Sequence, residues 1–92
     1  MKIKKPDGTV VTRTPLKARN MRRTGKVVKP SGIIVFGYAE NDDDGNFVEN
    51  GKVGYRAGHN GLNGTNLSAM FADEYDAVDW VLEKLAEESE SA

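Results

Sequence analysis

Apolar and polar positions change period several times along this chain, and the changes mark its elements. Residues 2–5 and 9–13 are short runs around Pro6-Asp7-Gly8, and they predict two strands joined by a turn. Val10 and Val11 favour the extended form. Thr14-Pro15 reads as a helix start, with Thr as a cap and Pro at the first helical position. Gly25 would follow its end. The expectation there is a short basic helix over 15–23, with a thin apolar face of Leu16, Ala18 and Met21; an irregular basic loop is the alternative.

Lys26-Val27-Val28-Lys29 reads as a strand stopped by Pro30-Ser31-Gly32. Ile33-Ile34-Val35-Phe36-Gly37-Tyr38-Ala39 is the most apolar run, and it predicts a central strand covered on both faces. Asn41 to Asn46 is a turn. Phe47-Val48 and Lys52 to Arg56 follow, either as two strands closed by Asn50-Gly51 or as one bent strand with a bulge; the first is favoured. Gly58 to Asn66 is a loop of Gly and Asn.

The last element has the clearest period. Tyr75, Val78, Leu82 and Leu85 recur at helical spacing with Val81 beside them, predicting a helix over 74–89 capped by Asp73, with 88–92 fraying. Acids at 73, 74 and 76 suit the positive end of the helix dipole. These elements predict an α+β fold: a small antiparallel β-sheet of about 4–5 strands with a C-terminal α-helix packed on one face. The 92 residues make one domain.

Charge changes the picture more than composition does. Residues 1–30 carry ten Lys or Arg and one acid, whereas residues 31–92 carry three basic residues and thirteen acids. The segment charges of +9 and −10 cancel to a net of −1. The basic set is Lys2, Lys4, Lys5, Arg13, Lys17, Arg19, Arg22, Arg23, Lys26 and Lys29. Of these, Lys4, Lys5, Arg13, Lys17, Arg19, Arg22, Arg23, Lys26 and Lys29 are the candidate contacts to nucleic acid or an acidic surface. Lys and Arg release condensed counterions as they neutralise phosphates. Aromatic residues are absent from the first 35 positions. Backbone contact is therefore expected rather than base stacking.

On the C-terminal helix, Asp76, Asp79, Glu83, Glu87 and Glu90 follow steps of three and four, which makes one carboxylate stripe. Asp76, Asp79, Trp80, Glu83 and Glu87 are the candidate protein-partner contacts. Trp80 lies off the main apolar face and would anchor an interface. In the bland alternative, the stripe is a solvated surface or pairs with the basic third.

No enzyme site is expected. There is no cysteine, hence no disulfide or thiolate metal site. His59 is the single histidine and lacks a second His as co-ligand. Ser31 and Ser68 sit in no nucleophile motif. The glycines at 58, 61 and 64 lack the Lys-Ser/Thr of a phosphate loop. Asp42 to Asn46 fails as a calcium loop because Gly51 stands where the bidentate Glu belongs. No cofactor and no metal are expected. No apolar run is long enough to cross a bilayer, and Met1 to Pro6 resembles no signal peptide, so a cytoplasmic protein is the expectation.

The functional expectation is a small non-enzymatic binding or inhibitor protein in the style of phage-encoded proteins. It would dock on a nucleic-acid-handling complex, such as a CRISPR or restriction effector, and block access as anti-CRISPR inhibitors do. Its partner would be a nucleoprotein complex or a basic host protein, with DNA or RNA phosphate contact by the basic third. The alternatives are an autonomous nucleic-acid-backbone-binding module and an assembly protein self-associating through opposite charges.

Overall fold

The computed structural model describes residues 1–17, 20–61 and 67–91, the side chains of Glu90 and Ser91 excepted. Its fold is α+β. Strands β1 (Lys2–Lys4) and β2 (Val10–Thr12) form a two-stranded antiparallel sheet. Strands β3 (Met21–Val28), β4 (Ile33–Glu40) and β5 (Val53–His59) form a second antiparallel sheet in that order. One helix, α1 (Glu74–Ser91), packs on β5, β4 and β1. The five strands thus divide into two sheets rather than one.

The expected basic helix over 15–23 is absent. Pro15, Leu16 and Lys17 have no regular structure and residues 21–23 open β3, while Ala18 and Arg19 lie outside the described residues. The reason is the turn that follows. Lys29 N–H donates to Ile33 O at 2.8 Å, and Gly32 N–H donates to Lys29 O at 2.9 Å. Gly32 has φ +89°, open to glycine but strained for other residues, and a Cβ there would meet His59 Nε2 at 2.8 Å. A turn ending on such a residue fixes a hairpin register. That register carries pairing back from Val28 to Met21 along β4. An eight-residue ladder outcompetes a helix with three weak apolar positions.

The turn after β4 is the expected one: Asp42 Oδ1 accepts from Asp44 N–H and Asn46 N–H at 2.9 Å each. The segment after it resolves between the two expectations. Glu40 N–H donates to Lys52 O, and Glu40 O accepts from Val48 N–H, so both ends of a 48–51 turn sit opposite one residue of β4. Asn50 turns there at φ 59°, but Phe47 and Val48 form no hairpin with β5; Phe47 makes an isolated bridge to Asn41.

The core lies between the three-stranded sheet and α1. Ile33, Val35, Ala57, Phe71, Ala77 and Val81 are buried there with Ile3 from β1. Phe71 closes the free edge of β5, exchanging both backbone hydrogen bonds with Tyr55. Ser68 extends that closure: its hydroxyl accepts from Ala57 N–H at 2.9 Å and donates to Ala69 O at 2.8 Å.

Asp73 caps α1, its Oδ1 accepting from Tyr75 N–H at 2.8 Å. Two expectations for this helix are corrected. It runs to Ser91, two residues past the expected end at 89. Its buried line is Ala77 and Val81, flanked by Val78, Leu82 and Leu85 on one side and Trp80 on the other, while Tyr75 is 67% exposed. Tyr75 lies about 160° around the helix from Ala77 and so faces away from that line. No described helix is long and apolar enough to cross a membrane.

Candidate nucleic-acid interface

The basic residues divide among three places. Arg22, Arg23 and Lys26 lie on β3, and Lys29 opens the turn after it. β3 is an edge strand outside the main packing of α1, and every residue from Arg22 to Val28 is exposed. Among the described residues, Arg22, Arg23, Lys26 and Lys29 have no carboxylate within ion-pair distance. At the start of the strand, Arg22 and Arg23 line a groove with Asp42 and Asp43.

Arg13 and Asp76 are used within the fold. Arg13 Nε donates to Asp76 Oδ1 at 2.9 Å, tying the residue after β2 to the first turn of α1. Arg13 is 39% exposed and Asp76 17%, so water screens the pair and it contributes about 0.2–1 kcal/mol. Lys4 and Lys5 line a groove with Leu82, Glu83, Ala86 and Glu87, so opposite charges from the hairpin and the helix meet there. Lys17 is exposed, and its backbone oxygen accepts from Lys52 Nζ at 3.1 Å. Arg19 lies outside the described residues.

On α1, Asp79 and Glu83 are partly exposed and Glu87 is exposed. Lys84 Nζ bonds Glu87 Oε2 at 3.3 Å and stands 5.6 Å from the centroid of the Trp80 ring. Trp80 itself is half-buried against the core, so part of its surface stabilises the fold.

Pairing between strands brings together residues that the sequence keeps apart. Side chains directly opposite in an antiparallel pair share a face. On the face turned from α1, Arg23 stands opposite Tyr38, and Lys26 opposite Phe36. Phe36 in turn stands opposite Arg56. Register shifts between Arg23 and Gly25, and this bulge at Thr24 is what puts Arg23 and Lys26 on one face. In an unbroken strand their odd spacing would put them on opposite faces.

The guanidinium of Arg23 lies 4.3 Å from the Phe36 ring centroid and 5.9 Å from that of Tyr38. Arg56 lies 5.9 Å from Tyr38 on the other side. Arg56 Nε is buried without a hydrogen-bond partner, so the described contact of this charge is with the ring rather than a carboxylate. Among the described residues, Met70 and Leu16 cover one end of this face, packing over Gly54 next to Tyr38. Phe36 and Tyr38 stay half-exposed, against the expectation of a central strand covered on both faces.

Phe36, Tyr38 and Arg56 were not among the sequence-based candidates. Alternation within 33–39 puts 34, 36 and 38 on one face, but their basic neighbours come from β3 and β5 through long-range pairing.

Among the described residues, no group of three or more His, Cys, Asp or Glu could hold a metal ion. His59 Nδ1 accepts from Gly61 N–H at 2.8 Å, which puts the ring proton on Nε2, 3.2 Å from the backbone oxygen of Ser31. The ring therefore ties the β3–β4 turn to the end of β5 and does not approach a serine hydroxyl. Asp7 accepts from Thr9 N–H at 2.9 Å, and this bond holds its carboxyl below the ordinary 3.8. Of the loop 58–66, residues 62–66 lie outside the described residues. No protein-family model, curated protein or solved structure is significantly similar to this chain.

Proposed function

We propose that this is a non-enzymatic binding protein that grips the phosphate backbone of nucleic acid with its free edge strand. Arg22, Arg23 and Lys26 make the contacts, and Lys29 extends them past the end of β3. The observation that carries this reading is the unpaired state of these cations on an exposed edge, outside the cover of the acidic helix. Charges balanced internally would have met carboxylates, as Arg13 does. The bulge and the charges also protect the edge against pairing with another strand.

Three to four phosphate contacts give a slope of log affinity against log salt of roughly −2 to −4. Replacing Arg22, Arg23 or Lys26 with Gln should weaken binding and flatten the slope by about 0.7–0.9 each. Titration of a short labelled oligonucleotide across salt measures this. No binding at low ionic strength, or Gln variants indistinguishable from wild type, rules the reading out.

A second reading has its own support. Asp79 is partly exposed on α1, beside half-exposed Trp80 and on a different element from the basic edge, and Glu83 borders the Lys4–Lys5 groove on the same helix. This fits an inhibitor, in the style of phage-encoded proteins, that docks on a nucleic-acid-handling complex by its helix and blocks phosphate access with β3. Asp79→Lys with Glu83→Lys should then abolish capture of that complex while leaving direct oligonucleotide binding intact. Unchanged capture by the folded variant refutes a docking stripe.

A further inference from the structure

We infer that the open face of the three-stranded sheet binds single-stranded nucleic acid by stacking its bases, with Phe36 and Tyr38 as the platform. The inference rests on the phosphate-binding reading of β3 and says which nucleic acid that strand meets.

The face alternates π surfaces with cations. Phe36 lies under the Arg23 guanidinium, and Tyr38 lies between Arg23 and Arg56. Lys26 flanks Phe36 across the strand pair, and Val28 stands opposite Ile34 further along the same face. A protein partner or a second copy of this chain would need carboxylates placed against three cations and flat apolar groups against two rings on one surface. A single strand supplies both complements: phosphates for the cations, and flat bases for the rings and the guanidinium plane. A base lying on Arg23 continues the stack that Phe36 begins.

Spacing favours a single strand over a duplex. Phe36 and Tyr38 are two residues apart on one strand, about 7 Å. Stacked nucleotides rise about 3.4 Å along a strand. Two rings at twice that spacing take successive bases only from a strand drawn out of its stack, and duplex bases are not free to move so. The acids facing the surface set its limit. Glu40 and the Asp42–Asp44 turn lie at the Met21 end. These acids limit phosphate contact beyond Arg22, so from Arg22 and Arg23 the strand runs past Tyr38 and Phe36 toward Lys26 and the Val28 end.

The test is fluorescence anisotropy of the full chain with labelled oligo(dT), oligo(U) and a DNA duplex, at one low salt concentration and then across salt. Single strands should bind about tenfold tighter than duplex. Phe36→Leu and Tyr38→Leu should each weaken single-strand binding roughly 5- to 100-fold, with the salt slope unchanged because no charge is lost. Tyr38→Phe keeps the ring and should bind like wild type. Thermal melting confirms that each variant is folded. Equal affinity for strand and duplex, with the Leu variants unaffected, overturns the stacking inference and leaves phosphate contact by β3 standing. Leu variants that lose strand and duplex equally overturn it too, because the loss is then not one of stacking. Absence of binding to every oligonucleotide overturns both readings.

Discussion

Phe71→Ala should leave this protein close to unfolded at room temperature. The ring is 1% exposed and is among the largest fully buried side chains described. The backbone of Phe71 is held to β5 by two hydrogen bonds with Tyr55, and its ring belongs to the buried cluster that includes Ala77 and Val81 of the helix and Ile3 of β1. Removing a buried Phe ring costs about 3–5 kcal/mol in lost transfer energy and residual cavity. A small domain has about 5–15 kcal/mol in all, and this core is short of large side chains, so the lower end of that range applies. The expected result is a melting temperature lower by at least about 12 °C, read by circular dichroism. Tyr75→Ala is the internal control. With two-thirds of its surface in water, Tyr75 should cost no more than about 0.5 kcal/mol. A Phe71→Ala loss below about 1 kcal/mol would mean that the core is not organised around this ring.

Gly54→Val should be the next most damaging change, and for the opposite reason. A Cβ at 54 would lie 2.5 Å from Met70 Cγ, 2.6 Å from Met70 Sδ and 3.1 Å from Leu16 Cδ2. Met70 is buried, and Leu16 is anchored by its N–H to Met70 O at 2.7 Å, so neither has free space to retreat into. Overpacking of this kind costs about 1–3 kcal/mol. The clash has a specific remedy. Met70→Ala makes room, so the double variant should be more stable than the sum of the two single losses implies. Urea denaturation of the four proteins in this cycle measures the coupling. Additive losses would mean that Met70 does not close over Gly54. The cycle also matters for the proposed platform, since these residues cover the Tyr38 end of the open face.

Several elements were legible in the chain because their signals are local. Asp73, followed by apolar residues at helical spacing, located α1 to its first residue, and the Asp42 turn needed only its own side chain and two backbone N–H groups. The apolar run at 33–39 gave β4. Other features were not legible because they depend on a competitor elsewhere in the chain. Thr14-Pro15 is a sound helix start, yet the turn at Lys29–Gly32 fixes a register that draws Met21 to Val28 into a strand. The helix period is legible, but the buried line runs through Ala77 and Val81, which turns the helix toward Trp80 and leaves Tyr75 about 160° away in water.

The same division holds for the candidate site. Sequence alone determined the charge sorting, the absence of aromatic residues from the basic third, and the lack of any thiol or second histidine for metal chemistry. Covalent order fixes those properties whatever the fold. Only the tertiary structure decided which charges are consumed and which remain. Among the described residues, Arg13 pairs with Asp76 across 63 positions, whereas Arg22, Arg23 and Lys26 stay on an edge strand with no carboxylate within ion-pair distance. The structure also decided that the basic third is not without aromatic neighbours. Strand pairing supplies Phe36 and Tyr38 from β4, and one bulged residue, Thr24, aligns Arg23 and Lys26 over them. The physical reason is that the face a strand presents depends on register. A one-residue shift reverses it, and register is set by partners distant in the chain.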